Sequence, residues 1–242
     1  MICEDCSTDN TLAILKELER EDERIRVIRN EVNSGQALGR NRCFELARGE
    51  YIAIHDGDDY SKEDRLEKQA AFLDANPQYA FAASSIYTID DEKTIRERPY
   101  TIVGAVKKED FLFGLPFCHP STMFRASALH AAGGYRVEKE TRFRNEDYDM
   151  FMRMYGDGMK GYVLQERLYV YFEGRATVKR RKYRYRFAEA KVRYRNFKNL
   201  GLMPRGFAYA VKPLIIGLIP QRLLNMIRKV YFNRHQASKE IE

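Results

Sequence analysis

Tyr51-Ile52-Ala53-Ile54 has the length and branching of a buried strand, and one residue later it runs into Asp56-Gly57-Asp58-Asp59. An acidic turn at a strand end suits an α/β sheet, whose ligands sit beyond the carboxyl ends of its strands. The flanking sequence supplies the rest of such a fold. A strand-like run begins at Ile2, Ser7-Thr8-Asp9 offers capping oxygens, and Leu12, Leu15 and Leu18 mark one face of a helix. Ile25-Val27-Ile28 reads as a strand, Asn33-Ser34-Gly35 as a turn, and Gln36 to Ala47 as a helix closed by Gly49. Lys62 to Ala75 is helical and stops before Asn76-Pro77, and Tyr79 to Tyr87 is the next strand. Later come a strand at Thr122-Met123-Phe124, a turn at Gly133-Gly134, a helix from about Asn145 to Tyr155 and a strand from Tyr162 to Tyr171. Alternating strands and helices predict an α/β fold with a mixed, mostly parallel sheet flanked by helices.

The charge is divided. The 242 residues carry a net +7, but from Arg175 through Arg234 there are 17 Lys and Arg against one acid, Glu189, so an acidic body precedes a basic C-terminal stretch. Such a stretch binds something anionic. Apolar runs such as Leu214-Ile215-Ile216 and Leu223-Leu224 alternate there with Lys212, Arg222, Arg228 and Lys229, and Pro213, Gly217 and Pro220 interrupt them. No run reaches the roughly 20 apolar residues of a spanning helix, so the expectation is an amphipathic segment lying on an anionic membrane surface. A helical pair packed on the body with a solvated basic face is the competing reading. Nucleic acid is not expected, since no binding motif accompanies the charge. Four cysteines behind a start that is neither basic nor long and apolar point to a cytoplasmic, reducing setting.

Carboxylates packed as tightly as Asp56, Asp58 and Asp59 call for a cation, and oxygen-only ligands suit Mg²⁺ or Mn²⁺ shared with a nucleotide's phosphates. Glu67 falls at the twelfth position of a calcium loop counted from Asp56, but Tyr60 and Ser61 stand where that loop needs a ligand and its glycine. An Asx-rich turn capping the next helix is the structural alternative. Cys3 and Cys6 form a C-x-x-C without the second pair or histidine cluster of a zinc site, and no Gly-Lys-Ser/Thr follows Gly35 and Gly39.

Taken together, Glu4-Asp5, Asn33-x-Gly35, Arg40-Asn41, Gly49-Glu50-Tyr51-Ile52, Asp56-Gly57-Asp58-Asp59, His119-Pro120-Ser121-Thr122-Met123-Phe124-Arg125, Gly133-Gly134-Tyr135 and Glu146-Asp147-Tyr148-Asp149 resemble the family 2 glycosyltransferases of the nucleotide-diphospho-sugar transferase (GT-A) fold over roughly residues 2–172. The resemblance implies a GT-A catalytic domain over 1–174 and a helical, basic extension over 175–242. It implies that Asp5 bonds the base of a nucleotide-diphosphate sugar, UDP-linked, with Arg40 near base or diphosphate and Asp56 near ribose and metal. Asp58 would ligate the Mn²⁺ or Mg²⁺, and Asp147 would be the catalytic base of an inverting transfer. Arg175, just after the last strand, would close over the diphosphate; Glu146 is a candidate acceptor contact, and His119 is either a contact to acceptor or phosphates or a structural histidine. The expected acceptor is a glycan or lipid-linked sugar of surface polysaccharide assembly, and the expected place is the inner face of the membrane.

Three departures accompany the resemblance. The loop Phe172-Glu173-Gly174-Arg175 lacks the histidine ligand of many relatives, which leaves the third protein ligand open. Gln-x-x-Arg-Trp is missing, and the chain has no tryptophan, which argues against a processive synthase. Relatives also begin with a further strand and helix ahead of the stretch around Ile2, so a truncated domain is expected, with an inactive binding module as one rival reading. A sugar nucleotidyltransferase is the other.

Overall fold

In the computed structural model, which describes residues 1–98, 102–174 and 183–218, the expected strands and helices form with small shifts at their ends. β1 (Ile2–Glu4) and β2 (Val27–Arg29) make a two-stranded parallel sheet, joined by α1 (Thr11–Glu21). None of the three residues expected to cap α1 stands at its N-cap, which is Asn10; Asp9, one residue earlier, supports the first turn, its carboxylate accepting the Thr11 amide at 3.0 Å and the Thr11 hydroxyl at 2.5 Å. α2 (Gln36–Leu46) follows a turn in which Gly35 takes φ +87°.

The larger sheet begins with β3 (Tyr51–Ala53) and a short β4 (Tyr60–Ser61) that the sequence did not announce. α3 (Arg65–Ala75) leads to β5 (Phe81–Ile89), which turns back as β6 (Ile95–Arg98). β7 (Gly104–Ala105), β8 (Met123–Arg125), α4 (Ala126–Ala131), α5 (Glu146–Gly156) and β9 (Gly161–Phe172) complete the body. The strand order is β3-β8-β5-β9-β4, with β6 also on β5 and β7 also on β9.

The sheet is mixed and flanked by helices, as expected, but its directions are not mostly parallel. Among the described residues only β1·β2 and β5·β9 run parallel; the other five pairings are antiparallel. For β5·β6 the reason is the connection. Parallel neighbours need a long crossover, whereas a tight turn returns the chain antiparallel. Asp90 builds such a turn between β5 and β6, its carboxylate accepting the amides of Glu92 at 3.0 Å and Thr94 at 2.9 Å.

β9 is longer than β5, and its surplus is absorbed by register shifts around Ser85, where exposed Gln165 and Glu166 and buried Leu168 are skipped. Gly161 stands opposite Phe81 in this ladder, and a Cβ there would collide with the rings of Phe81 and Phe117. The bare glycine lets Phe81 enter an aromatic cluster with Phe117, Phe124 and Phe151, whose ring centroids lie 4.9, 5.2 and 4.9 Å from its own. Each ring so buried contributes about 1.5–3 kcal/mol.

α6 (Arg184–Asn199) and α7 (Gly206–Leu218) form an antiparallel pair that packs on the body: Val192, Phe197, Leu200 and Ala210 belong to the main core. Asp149, fully buried on α5, ties α6 down. It accepts from Arg195 and Asn196 at 2.8 Å, and from Arg153 at 3.0 Å. The rest of the basic extension, residues 175–182 and 219–242, lies outside the described residues.

Candidate active site

The acidic turn is held from behind. Ile54 extends β3 by donating its amide to Thr122 O at 2.9 Å. Arg65, only 1% exposed on α3, donates to Ile54 O at 2.9 Å and lies 4.7 Å from the Tyr169 ring centroid. From β9 the Tyr169 hydroxyl accepts the Asp56 amide at 3.2 Å. Asp59 is buried and accepts the Phe172 amide at 2.7 Å, and burial pushes its carboxyl up to about 6. Of the three aspartates, then, Asp59 clasps the end of β9, Asp56 is half-buried and Asp58 faces solvent.

Arg40 joins this turn to the first turn of α5. Its Nη2 donates to Asp56 Oδ1 and its Nη1 to Glu146 Oε1, both at 2.8 Å. Burial alone would weaken the guanidinium's charge, but Tyr135, Asp56 and Glu146 around it raise its pKa, so it stays charged. The neighbouring Asn41 explains the Arg-Asn pair: its side chain donates to Tyr135 O and accepts the Tyr135 amide, both at 2.8 Å. That clamp holds the Tyr135 ring 5.7 Å from the Arg40 guanidinium. Behind it, His119 is 4% exposed and spends Nε2 on the Tyr135 hydroxyl at 2.5 Å. Burial, with Arg40 nearby, keeps this histidine neutral. It therefore supports Tyr135 from within rather than lining an acceptor space.

Asn145 precedes α5 with φ +63°, a left-handed conformation that asparagine tolerates. It places Glu146 inward on Arg40 and leaves Asp147 partly exposed, its Oδ1 accepting the Tyr148 amide at 2.7 Å. Burial raises the pKa of both carboxyls; for Glu146 the Asp147 charge adds to the rise, and for Asp147 the Asp56 charge does. The two acidic segments expected at one site are thus brought within electrostatic reach of each other.

Asp5 lies at the far side of α2. Asn30 Nδ2 donates to its carboxylate at 2.8 Å, the Ser34 amide at 2.7 Å and the Gly35 amide at 2.8 Å. Burial opposes its charge, but these three donors prevail and hold its pKa below the ordinary carboxylate range. Most of its accepting capacity is therefore committed to the turn that starts α2, the helix carrying Arg40. That turn touches the loop before α5, since Arg142 Nε donates to Ser34 O at 2.8 Å. Arg175 lies outside the described residues.

Among the described residues no three His, Cys, Asp or Glu side chains converge to hold a metal ion. The donors at hand nevertheless fit Mg²⁺ or Mn²⁺: Asp58 is open to solvent and Asp56 has one oxygen not taken by Arg40, and Mg²⁺ is characteristically held by one or two carboxylates with substrate phosphates. Between the first turn of α5 and α6 lies a cavity of about 310 Å³, lined among others by Asp147, Arg144, Tyr185, Arg186 and Glu189.

Sequence reasoning missed Tyr135, Tyr169 and Arg65 as builders of this site. A signal for Arg65 was present: with Gln69 it puts two polar groups on the buried face of α3, where a helix that only packs would carry apolar ones.

The α/β body with its acidic strand-end turn has the GT-A fold. Staphylococcus aureus TarS 1–349, solved in complex with UDP-GlcNAc, matches it with a TM-score of 0.64 over 89% of this chain and 61% of that one, at 21% identity. The profile described as glycosyl transferase family 2 matches residues 1–133. A Bacillus subtilis (strain 168) protein named as a glycosyltransferase, EpsE, is 37% identical over 231 residues, 95% of this chain and 82% of that protein. TuaG of the same organism, named for teichuronic acid biosynthesis, is 44% identical over 91 residues, 37% of this chain and 36% of its own length. The chain belongs to glycosyl transferase family 2.

Proposed function

We propose that this glycosyltransferase moves a sugar, with inversion, from a UDP-linked donor to a hydroxyl of a glycan or lipid-linked acceptor in surface polysaccharide assembly. The observation that carries this reading is the Arg40 fork between Asp56 and Glu146, which sets Asp147 beside the acidic turn. Asp147, partly exposed on a cavity wall and with a raised pKa, suits the general base that takes the acceptor's proton as the hydroxyl attacks the anomeric carbon. Asp58 and Asp56 would hold Mg²⁺ or Mn²⁺, which when bound would neutralise charge on the departing diphosphate. Arg40 stays charged beside Asp56 and adds to the positive potential there. Asp5 holds the Ser34-Gly35 turn on which α2 stands, and its remaining accepting capacity is available to a base. TarS, whose structure contains UDP-GlcNAc, supports the choice of donor, and the name of TuaG, a teichuronic acid biosynthesis glycosyltransferase, supports the acceptor class.

Asp147→Asn and Asp58→Asn should each lower transfer by a factor of about 10² or more while leaving the thermal unfolding transition cooperative. Full turnover in Asp147→Asn would overturn the role of that residue. Release of nucleoside diphosphate marks sugar transfer; release of pyrophosphate would assign a nucleotidyltransferase instead.

The reaction is placed at the cytoplasmic membrane face. α7 exposes Phe207, Ile215 and Leu218 beside Lys212, and no described helix is long and apolar enough to cross a membrane. Sedimentation with phosphatidylglycerol vesicles should carry the protein down at low salt and not with phosphatidylcholine. Equal recovery in both supernatants would reject surface binding.

A further inference from the structure

The cavity beside Asp147 is built of groups that a neutral sugar does not require. Its wall brings three guanidiniums, Arg144, Arg186 and Arg193, together with two carboxylates, Asp147 and Glu189. Glu189 is shared: it takes Arg193 at 3.0 Å and Arg186 at 3.1 Å. Arg193 is committed to structure, lying 4.9 Å from the Tyr148 ring centroid and donating to Leu112 O at 3.5 Å as well. Arg144 lies over Tyr185, 4.9 Å from its ring centroid. Arg186 differs. Its side chain is 25% exposed, and its contact with Glu189 is made through Nη1, whereas a guanidinium carries five N–H donors. With Asp147 ionised, as a base must be, the lining still holds one more positive than negative charge.

We infer that the acceptor carries an anionic group, a phosphate or a carboxylate, which Arg186 receives in the cavity while a hydroxyl of the same acceptor faces Asp147. A planar guanidinium matches the paired oxygens of either anion, and such charge-assisted bonds are about twice as strong as neutral ones. Tyr185 adds the edge of an aromatic ring to the wall as apolar surface for a sugar. The donor's own diphosphate is the rival occupant. The cavity does not favour it: neither Arg40 nor any residue of the Asp56–Asp59 turn contributes to its lining, and α6 forms one side. The inference rests on the reading of Asp147 as the base, and it deepens that reading by naming the acceptor's chemistry.

The test uses the full chain with UDP and Mn²⁺, titrated by ligand-observed NMR with methyl β-D-glucoside, methyl β-D-glucuronide and methyl β-D-glucoside 6-phosphate. Both charged glycosides, or one of them, should bind about tenfold more tightly than the neutral one, and the better of the two identifies the anion. Arg186→Gln should erase the preference and Arg186→Lys should retain part of it, with cooperative thermal melting confirming that each variant is folded. Equal affinity for all three glycosides, no detectable binding of any, or a preference that survives in Arg186→Gln would overturn the inference. So would a weakening of UDP binding by Arg186→Gln without loss of the preference, which would place the diphosphate in the cavity. Failure of the broader reading looks different: transfer unaffected by Asp147→Asn removes the base while an anion preference lost in Arg186→Gln still stands.

Discussion

Arg40 carries more of the site's order than any other single side chain described. It is largely buried, and its two partners come from residues 16 and 106 positions further along the chain. Removing it would leave Glu146 inside the protein without its counter-charge. Breaking a buried pair by deleting one partner costs about 3–5 kcal/mol, so Arg40→Ala should lower stability by roughly that amount in urea denaturation, and an unchanged midpoint would refute the role. Asp147 works in the opposite sense. Its folded pKa lies above the ordinary 3.8, so the folded state binds more protons than the unfolded one between those two values, and stability is lost as pH rises through that window. Above the folded pKa the cost of keeping the carboxylate charged is fully present. Asp147→Asn should therefore raise the melting temperature most above that folded pKa, with the gain shrinking as pH falls toward 4, even as it abolishes transfer. The charged residues that meet at this candidate site, Arg40, Asp56, Glu146 and Asp147, were legible in the sequence because they stand at motif spacings. Tyr135 had no role assigned from sequence and His119 was left between two, because what they do depends on Asn41 and Arg40 reaching them across the fold.

At the scale of elements, local pattern gave the strands and helices of the body to within a few residues, since hydrophobic period and capping residues are local quantities. Strand direction is not local. β4 and β7 are two residues each and owe their existence to β9, with which both pair, so nothing in their own composition marks them. Gly161 shows how one position can set the fit of two elements. Gly161→Ala would drive a methyl group into the rings of Phe81 and Phe117, and overpacking of this kind costs about 1–3 kcal/mol. Calorimetry should show the loss; a variant as stable as the parent would mean that β9 shifts to make room. The join between α5 and α6 depends on Asp149, whose pKa is held below the ordinary range: burial opposes its charge, but Asn196 and Arg195, with Arg153 and Arg136, outweigh it. A depressed carboxyl stabilises the fold above its unfolded pKa and ceases to do so as pH falls through the folded one. Asp149→Asn should therefore flatten the acid side of the stability profile while lowering stability at pH 7.

For the whole molecule, the division by charge and the division by packing do not coincide. The basic stretch begins near Arg175, yet Val192 and Phe197 within it are 1% and 0% exposed and sit in the core of the acidic body. Composition reported where the charge lies; it could not report that α6 turns its apolar face inward, because Arg184, Arg186, Lys191, Arg193, Arg195 and Lys198 are scattered through it and mask the period. Removing residues 184–218 should accordingly unfold the body rather than merely release it from a surface, and loss of cooperative melting in that truncation is the expected result. The family profile ends at residue 133, whereas the cavity beside Asp147 takes all but Leu115 of its lining from Arg144 to Arg193. On the proposed reading, what is burned and what is decorated are encoded in successive lengths of one chain. Transplanting the later length from another member would redirect the enzyme to a new recipient without changing its fuel.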